Sequence, residues 1–161
     1  MSTRFDPDSR ILTRAALIER YRRPRMFRLV FTNGCFDILH RGHAEYLLAA
    51  SRLGDALVVA LNTDASVRRL KGPGRPVVAE TDRAFLIATL ACVDAVTLFS
   101  EDSPHTLISE LLPDVLVKGA DYRPDEVIGR AEVEAAGGRL TLVPYRKGHS
   151  TSELLERIRA R

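Results

Sequence analysis

A strand that runs into a polar turn and then a helix constrains this chain more than any other feature. Residues 29–31 are strand formers, Asn33-Gly34 interrupts them, and apolar residues follow helical spacing after His43. His40, Gly42 and His43 therefore fall on the connection between a strand and a helix. In a parallel sheet, ligands bind at such connections, and the N–H groups and dipole of a helix N-terminus favour phosphate.

The rest of the chain alternates apolar strand-like runs with helical periodicity and has no tight hairpin signal. Strands are predicted near residues 27–31, 56–61, 96–99, 114–117 and 140–143. Helices are predicted at 9–22 with Ser9 as N-cap, after His43, and at 80–92, 104–112, 130–136 and 150–158. The basic stretch 67–78 is predicted to be a loop over the site. This alternation predicts an α/β fold, a single Rossmann-like doubly wound parallel five-stranded sheet with helices on both faces.

Length and composition predict one main domain. The 161 residues are 45% hydrophobic, which suffices for one core, so we expect an N-terminal helical extension at 1–26 and the site-bearing domain at 27–161. Two cysteines do not indicate a disulfide framework. The N-terminal residues are polar, without the apolar core typical of a signal peptide, and the longest apolar run, 84–93, is too short to span a bilayer. We therefore expect a soluble cytoplasmic protein.

The formal charge of +3 is concentrated at the start of the chain, where residues 1–28 hold eight arginines. A basic amphipathic helix is compatible with nucleic acid or an anionic membrane. However, no interleaved aromatic residues or RNA-binding motif accompany the arginines, which favours a solvated helix face. We therefore expect neither nucleic acid nor a membrane as a partner.

The histidine pair has two other interpretations. Cys35 and Asp37 lie close enough in sequence to complete a metal site with the two imidazoles, but these spacings match no structural zinc pattern. Either histidine alone is compatible with a helix cap. A phosphate site explains the two imidazoles, the glycine and the strand-turn-helix context together, so no protein-held metal is predicted.

Residues 32–43, Thr-Asn-Gly-Cys-Phe-Asp-Ile-Leu-His-Arg-Gly-His, resemble the His-x-Gly-His signature of the cytidylyltransferase-like nucleotidyltransferase superfamily. With the segments at 61–64, 69–72, 116–122 and 150–152, the chain most resembles its D-glycero-β-D-manno-heptose 1-phosphate adenylyltransferases, over about residues 28–159. The resemblance implies transfer of AMP from ATP, accompanied by Mg²⁺, to the sugar 1-phosphate. The products would be pyrophosphate and ADP-heptose, a lipopolysaccharide inner-core precursor. The resemblance also favours a homodimer and implies that 27–161 is the nucleotidyltransferase domain.

The resemblance also implies roles for individual residues. Three would act in catalysis, namely His40, His43 and Lys71. Nucleotide binding is implied for both histidines and for Phe31, Thr32, Asn33, Gly42, Arg83, Lys118, Gly119, Asp121, Ser150 and Thr151. The acceptor would lie near Asn33, Asp37, Lys71 and Arg75. Asp37 is nearly as well explained as a helix cap, and Asp121 as part of a helix-entry turn.

Lysine usage supports this placement. Only three lysines occur, and Lys71, Lys118 and Lys147 each follow a predicted strand, on the edge where the histidines lie. A compact ammonium suits a phosphate oxygen as a point charge.

Residues 145–151, Tyr-Arg-Lys-Gly-His-Ser-Thr, depart from the Arg-Thr-Glu-Gly-Ile-Ser-Thr segment usual in relatives that transfer CMP. This weakens the alternative of CMP transfer to glycerol 3-phosphate or a similar alcohol phosphate, and it leaves the roles of Arg146 and His149 open. A nucleotide-binding module without turnover is the other alternative. It would require a damaged signature, and this one is intact.

Overall fold

Five parallel strands and seven α-helices make up the part of the chain that this computed structural model describes, residues 5–144 and 151–160. Short 3-10 turns at Asp8–Arg10 and Pro124–Glu126 accompany them. The elements in chain order are α1 (Arg14–Tyr21), β1 (Leu29–Gly34), α2 (Arg41–Ser51), β2 (Ala56–Asn62), α3 (Asp64–Lys71), α4 (Glu80–Ala88), β3 (Ala95–Phe99), α5 (His105–Leu111), β4 (Val115–Gly119), α6 (Arg130–Ala135), β5 (Arg139–Val143) and α7 (Thr151–Arg159).

The strand order β3-β2-β1-β4-β5 confirms the predicted doubly wound sheet. The chain moves outward from β1 through β2 to β3 and then returns to place β4 on the other side of β1, with Phe31 beside Leu116. The connections that leave β1 and β4 pack on opposite faces. A crevice therefore opens between the carboxyl ends of these two strands, where ligands bind in such folds.

Helices cover both faces of the sheet because the side chains of each strand alternate between two apolar clusters. Val30 and Val59 point to the cluster that contains α2 and α4. Their neighbours Phe31 and Val58 point to the other cluster, which contains α1, α5 and α6. Alternating burial on two faces explains the nearly unbroken apolar character of the strands.

The first helix begins later than predicted. Ser9 belongs to a 3-10 turn, and Thr13 is the N-cap of α1, accepting a hydrogen bond on Oγ1 from the Ala16 N–H at 3.3 Å. The segment before α1 runs along the edge strand, where the Leu12 N–H donates to the Val96 carbonyl at 2.8 Å. Leu17, on α1, is fully buried in the second cluster. The described part of the N-terminal extension therefore packs into the same core as the sheet.

Arg20, Arg22 and Arg28 are exposed, as predicted for a solvated face, but Arg25 departs from this prediction. The Arg25 side chain is only 4% exposed, and it donates to both Asp114 and the carbonyl of Leu112 at the end of α5. Arg23 also pairs with Asp114, at 2.7 Å, and the same carboxylate accepts the Leu29 N–H at 2.8 Å. These arginines fix the start of β1 against the loop that enters β4. Their positive charge is paired with the Asp114 carboxylate.

We expect Arg25→Met to lower the free energy of unfolding by about 2 kcal/mol, because Asp114 loses one of its two arginine partners and the Tyr21 and Leu111 carbonyls lose the side-chain donor that Arg25 provides. Arg22→Met is the matched control, since that side chain is exposed and should change stability by less than about 0.5 kcal/mol. Urea unfolding of the two variants and the wild type measures the difference. Equal midpoints for both variants would contradict an internal role for Arg25.

None of the helices formed by the described residues has both the length and the apolar character needed to cross a bilayer.

Candidate functional site

A cavity of about 700 Å³ lies over the carboxyl ends of β1 and β4, at the point where the strand order reverses. Asn33 and Gly34 from β1 and Lys118 and Gly119 from β4 line it. The first residues of α7 also border the cavity, and so do side chains from α2 and from the end of α3. It is the place that the strand-turn-helix motif predicts for a ligand.

The two histidines lie side by side at the start of α2. His40 is the N-cap of this helix, and its Nδ1 accepts a hydrogen bond from the His43 N–H at 3.3 Å. The two rings stack with centroids 3.7 Å apart and an angle of 20° between their planes. Phe36 supports the His43 ring at 5.0 Å. Capping and a place in the cavity wall are thus compatible, because the cap fixes the imidazole at a helix N-terminus.

The pKa of His43 is lowered to about 4, mainly by burial and to a smaller extent by the neighbouring His40. The ring is therefore neutral near pH 7 in the free protein. Negative charge brought into the cavity would favour the protonated form and raise this pKa. The site is thus able to respond to an anion by taking up a proton.

The pKa of His43 also predicts how stability depends on pH. Because about 4 lies below the value of about 6.5 for an unfolded histidine, the stabilising effect of the neutral ring is complete above pH 6.5 and is lost as the pH falls towards 4. Between pH 7 and pH 4, we expect the wild type to lose about 3 kcal/mol more than His43→Asn. Chemical unfolding across this range measures the loss.

The control for this titration is His105→Asn, which changes an exposed ring that pairs with Glu132. This variant should lose stability between pH 7 and pH 4 in the same way as the wild type, because an exposed pair contributes little to stability. Parallel curves for the wild type and His43→Asn would show that the ring does not titrate as its burial requires.

Lys71 lies on a helix, and the prediction that 67–78 forms a loop is wrong for its first part. Thr63 caps α3 by accepting the Ser66 N–H on Oγ1, and Val67 is buried on the inner side of the helix. The helix ends at Gly72, whose φ of 93° strongly favours glycine. Lys71 is therefore the last residue of α3, exposed at the rim of the cavity.

Asp37 holds the segment that follows α3. Its carboxylate accepts hydrogen bonds from Arg75 Nε at 2.6 Å and from the backbone N–H groups of Val77 and Val78 at 2.8 and 2.9 Å. It is 2% exposed and does not cap α2, since His40 does so. Both Asp37 and Arg75 border the cavity, but they are paired with each other. The geometry favours a role in holding this segment over a direct contact of Asp37 with the acceptor.

Arg83 lies below the cavity and does not line it. Its guanidinium is 1% exposed and donates to the carbonyls of Val78, Cys35 and Asn62 at 2.6 to 3.0 Å, and to the Asp64 carboxylate at 2.8 Å. These partners come from the ends of β1 and β2, from α3 and from the segment before α4. Every nitrogen of the side chain is used within the protein, so the geometry favours a structural role, and the nucleotide contact implied by the resemblance stays a prediction.

Two strand residues implied in nucleotide binding also point away from the cavity. Phe31 is fully buried in the second apolar cluster. Thr32 is fully buried as well, and its Oγ1 contacts the Tyr46 hydroxyl at 2.8 Å and donates to the Val117 carbonyl at 3.0 Å. Their side chains are structural, so only backbone groups remain to contact a nucleotide. Gly42 is buried in the first turn of α2.

Lys118 forms the floor of the cavity. It is 7% exposed, and its Nζ donates to Asn33 Oδ1 at 2.6 Å. Burial lowers the pKa of Lys118 to about 8, although Asp121 acts in the opposite direction. The ammonium also lies 5.3 Å from the centre of the Tyr122 ring, and Asp121 and Tyr122 both line the cavity. β1 thus presents an amide, and β4 an ammonium, to the same cavity.

The N-terminal turn of α7 forms another part of the wall. Thr151, Ser152 and Glu153 line the cavity, so the positive end of a helix dipole is close to it. Ser150, predicted to bind nucleotide, lies outside the described residues, and so do Arg146, Lys147 and His149. Thr151 is therefore the predicted residue of this segment that the structure brings to the site.

The sequence alone did not identify several lining residues. Leu70, Pro104 and Ile128 add an apolar part to the cavity, and Asp102 and Glu126 add carboxylates. These residues follow β2, β3 and β4 along the chain, so their positions after strands were the available signal. Apolar and acidic residues are so common in such segments that composition does not single them out.

Within residues 5–144 and 151–160, no three His, Cys, Asp or Glu side chains converge in a way that would hold a metal ion. Asp37, which the zinc interpretation requires, is already paired with Arg75. The arrangement instead offers imidazoles, a helix N-terminus and two lysines to an anionic ligand.

Comparison with known proteins agrees with this geometry. The family model described as Cytidylyltransferase-like matches residues 31–157. The bifunctional protein HldE of Trichlorobacter lovleyi is 52% identical over 155 residues, which are 95% of this chain and 32% of that protein. HldE of Vibrio atlanticus is 51% identical over 156 residues, 96% of this chain and 33% of that protein. The chain thus spans about a third of the length of these curated relatives.

Two solved structures are also similar to this chain. The lipopolysaccharide core biosynthesis protein from Thermoplasma volcanium GSS1 is 32% identical, with a TM-score of 0.62, and the match covers 76% of this chain and 99% of that one. Pantoate-beta-alanine ligase from Francisella tularensis shares the fold at 13% identity, with a TM-score of 0.60 over 88% of this chain and 68% of that one. The family model, the relatives and the strand-turn-helix site agree, and the chain belongs to the cytidylyltransferase-like family.

Proposed function

We propose that the chain transfers AMP from ATP to D-glycero-β-D-manno-heptose 1-phosphate, giving ADP-heptose and pyrophosphate. Membership of the cytidylyltransferase-like family supports nucleotidyl transfer. The sugar assignment draws on the motif resemblance and on the 32% identity to a lipopolysaccharide core biosynthesis protein. The whole signature of histidines and glycine argues against a binding module without turnover.

The observation that carries the proposal is the anion site at the strand switch point. His40 and His43 stack at the N-terminus of α2, and Thr151 begins α7 on the same cavity. Two helix N-termini that border one cavity provide N–H groups and positive dipole ends, which suit the polyphosphate of a nucleotide. Lys71 at the rim adds a cation without a carboxylate partner among the described residues.

The reaction needs little covalent help from the protein. An oxygen of the acceptor phosphate attacks the α-phosphorus of ATP, the bond from that phosphorus to the bridging oxygen of the β-phosphate breaks, and pyrophosphate leaves with the electron pair. The protein contributes positioning and donors for the charge on the phosphoryl oxygens. His40 and His43 would stabilise that charge, and Lys71 and Thr151 would hold the leaving phosphates.

Mg²⁺ is proposed as the companion of ATP, whose charge it would partly neutralise. The described residues offer no preformed cage of three ligands, but Mg²⁺ in phosphoryl-transfer sites is held largely by substrate oxygens and water. The carboxylates bordering the cavity, such as Asp121 and Glu153, are the protein groups nearest in kind to its preferred ligands.

We also propose that the protein acts as a homodimer in the cytoplasm, without nucleic acid or membrane partners, and that 27–161 carries the activity. The resemblance supports the homodimer. Sedimentation equilibrium of the purified protein measures the association.

The proposed function is tested by pyrophosphate release with ATP or CTP, each combined with heptose 1-phosphate, other sugar 1-phosphates and glycerol 3-phosphate. We expect release with ATP and the heptose 1-phosphate to exceed that of every other pair by at least tenfold in kcat/KM. Preference for CTP with glycerol 3-phosphate would support the cytidylyl alternative. Tight nucleotide binding without release from any pair would indicate a binding module.

A further inference from the structure

The buried ammonium of Lys118 forms no salt bridge in the described part of the chain, although the Asp121 carboxylate acts on it from a longer distance. Its one hydrogen bond goes to a neutral amide oxygen of Asn33, and none of the described carboxylates lies within 4 Å of its Nζ. An ammonium has three donors, so the bond to Asn33 leaves donors for a ligand in the cavity that Lys118 lines.

This arrangement is costly for the empty protein. Taking an ammonium out of water is strongly unfavourable unless an opposite charge is close, and one neutral hydrogen bond does not offset the lost hydration. A structural role alone would be met better by an apolar side chain of the same length. A buried cation that faces a cavity is therefore best explained by an anion that arrives with the substrate.

The proposed reaction brings two phosphate-bearing substrates into the cavity, and each needs its own binding position. The triphosphate suits the helix N-termini, where His40, His43 and Thr151 lie. In an in-line displacement the attacking phosphate must approach from the side opposite the leaving pyrophosphate. Lys118 and Asn33 are on the sheet, at the ends of β4 and β1, and not at a helix N-terminus. Lys118 therefore offers a phosphate-binding position on the sheet, on a different element from the helix N-termini.

We propose that Lys118 binds the phosphate of the acceptor, a sugar phosphate monoester, and that Asn33 orients its ammonium towards it. The inference rests on the proposed function and deepens it. The cavity also includes Asp102 and Glu126, whose carboxylates are suited to accept hydrogen bonds from sugar hydroxyls. The acceptor would then be held by its phosphate on the floor and by its hydroxyls near these acids.

The test compares Lys118→Met with the matched control Lys71→Met, using the acceptor that supports turnover in the wild type. We expect Lys118→Met to raise the acceptor KM at least tenfold while the ATP KM changes less than twofold. Lys71→Met should show the reverse pattern, because that lysine lies at the rim near the proposed leaving phosphates. Lys118→Met should also have a melting temperature equal to or above that of the wild type without substrate.

Several results would overturn the inference. These are a raised ATP KM with an unchanged acceptor KM, a lower kcat with both KM values unchanged, or a melting temperature several degrees below the wild type. Calorimetry of acceptor binding in the presence of a non-hydrolysable ATP analogue tests the role of Lys118 independently of the proposed AMP transfer. If the wild type showed no turnover, AMP transfer would be refuted. If the wild type and Lys118→Met bound the acceptor equally well, the role of Lys118 would be refuted.

A pH profile provides a second readout. With its pKa near 8, the free-enzyme ammonium loses its charge as the pH rises past that value, so the acceptor KM of the wild type should rise there. The groups that face it are the Asp121 carboxylate, the Cys35 thiol and the Tyr122 phenol, and burial raises the pKa of the last two so that they stay neutral. Lys118→Met should lack this rise. The same rise in both proteins would assign the titration to another group and count against the inference.

Discussion

His43→Ala is expected to lower kcat at least about a hundredfold, the typical cost of removing a preorganised donor that meets charge in the transition state. The ring is positioned before substrate arrives, because it stacks 3.7 Å from His40 and rests on Phe36. Alanine removes the imidazole while leaving the backbone N–H that His40 accepts. Steady-state pyrophosphate release at saturating ATP and acceptor measures the loss.

The matched control is His105→Ala, which removes an exposed imidazole on α5. It should retain kcat within about twofold, since it lies outside the cavity lining. Circular dichroism and a melting curve establish that both variants are folded. A folded His43→Ala protein that keeps near-normal turnover would remove this histidine from catalysis.

Arg83→Met is expected to have the largest effect on stability, lowering the free energy of unfolding by about 3 to 5 kcal/mol. The substitution removes a buried guanidinium and leaves the buried Asn62 carbonyl, the Cys35 carbonyl and the partly exposed Asp64 carboxylate without this donor. Those groups end β1 and β2 and begin α3, so the edge of the cavity loses its support. Denaturant unfolding with and without a saturating ATP analogue measures the change.

Arg69→Met is the control for Arg83, because Arg69 also pairs with an aspartate, Asp102, but on the exposed side of α3. It should cost less than about 1 kcal/mol. The structural role of Arg83 is supported if stability falls in the absence of nucleotide. Unchanged stability together with a raised ATP KM would restore the direct nucleotide contact that the resemblance implies.

The sheet and the position of the site follow from local pattern. The strands are apolar on both faces, the helices recur between them, and the carboxyl ends of parallel strands meet at one edge, so the sequence places Asn33, His40 and Lys118 near one another. Element ends were less well predicted. Ser9 precedes a helical pattern, but Thr13 is the residue whose side chain caps α1.

Pairing between distant charges is what the sequence could not provide. Arg25 and Asp114 are 89 residues apart, and Arg83 and Cys35 are 48 apart. Whether an arginine meets solvent, a carbonyl or a phosphate depends on which segment packs above it, and no local periodicity encodes this. An arginine near a site is therefore easily predicted to bind the ligand when its hydrogen bonds are in fact made to groups of the protein.

The most direct test is a crystal structure of the protein with a non-hydrolysable ATP analogue and Mg²⁺. We predict that β- or γ-phosphate oxygens lie within about 3 Å of ring nitrogens of His40 or His43. We also expect the N-terminal turn of α7 to contact the same phosphates. A triphosphate bound away from both imidazoles, or zinc held between them, would contradict the central claim.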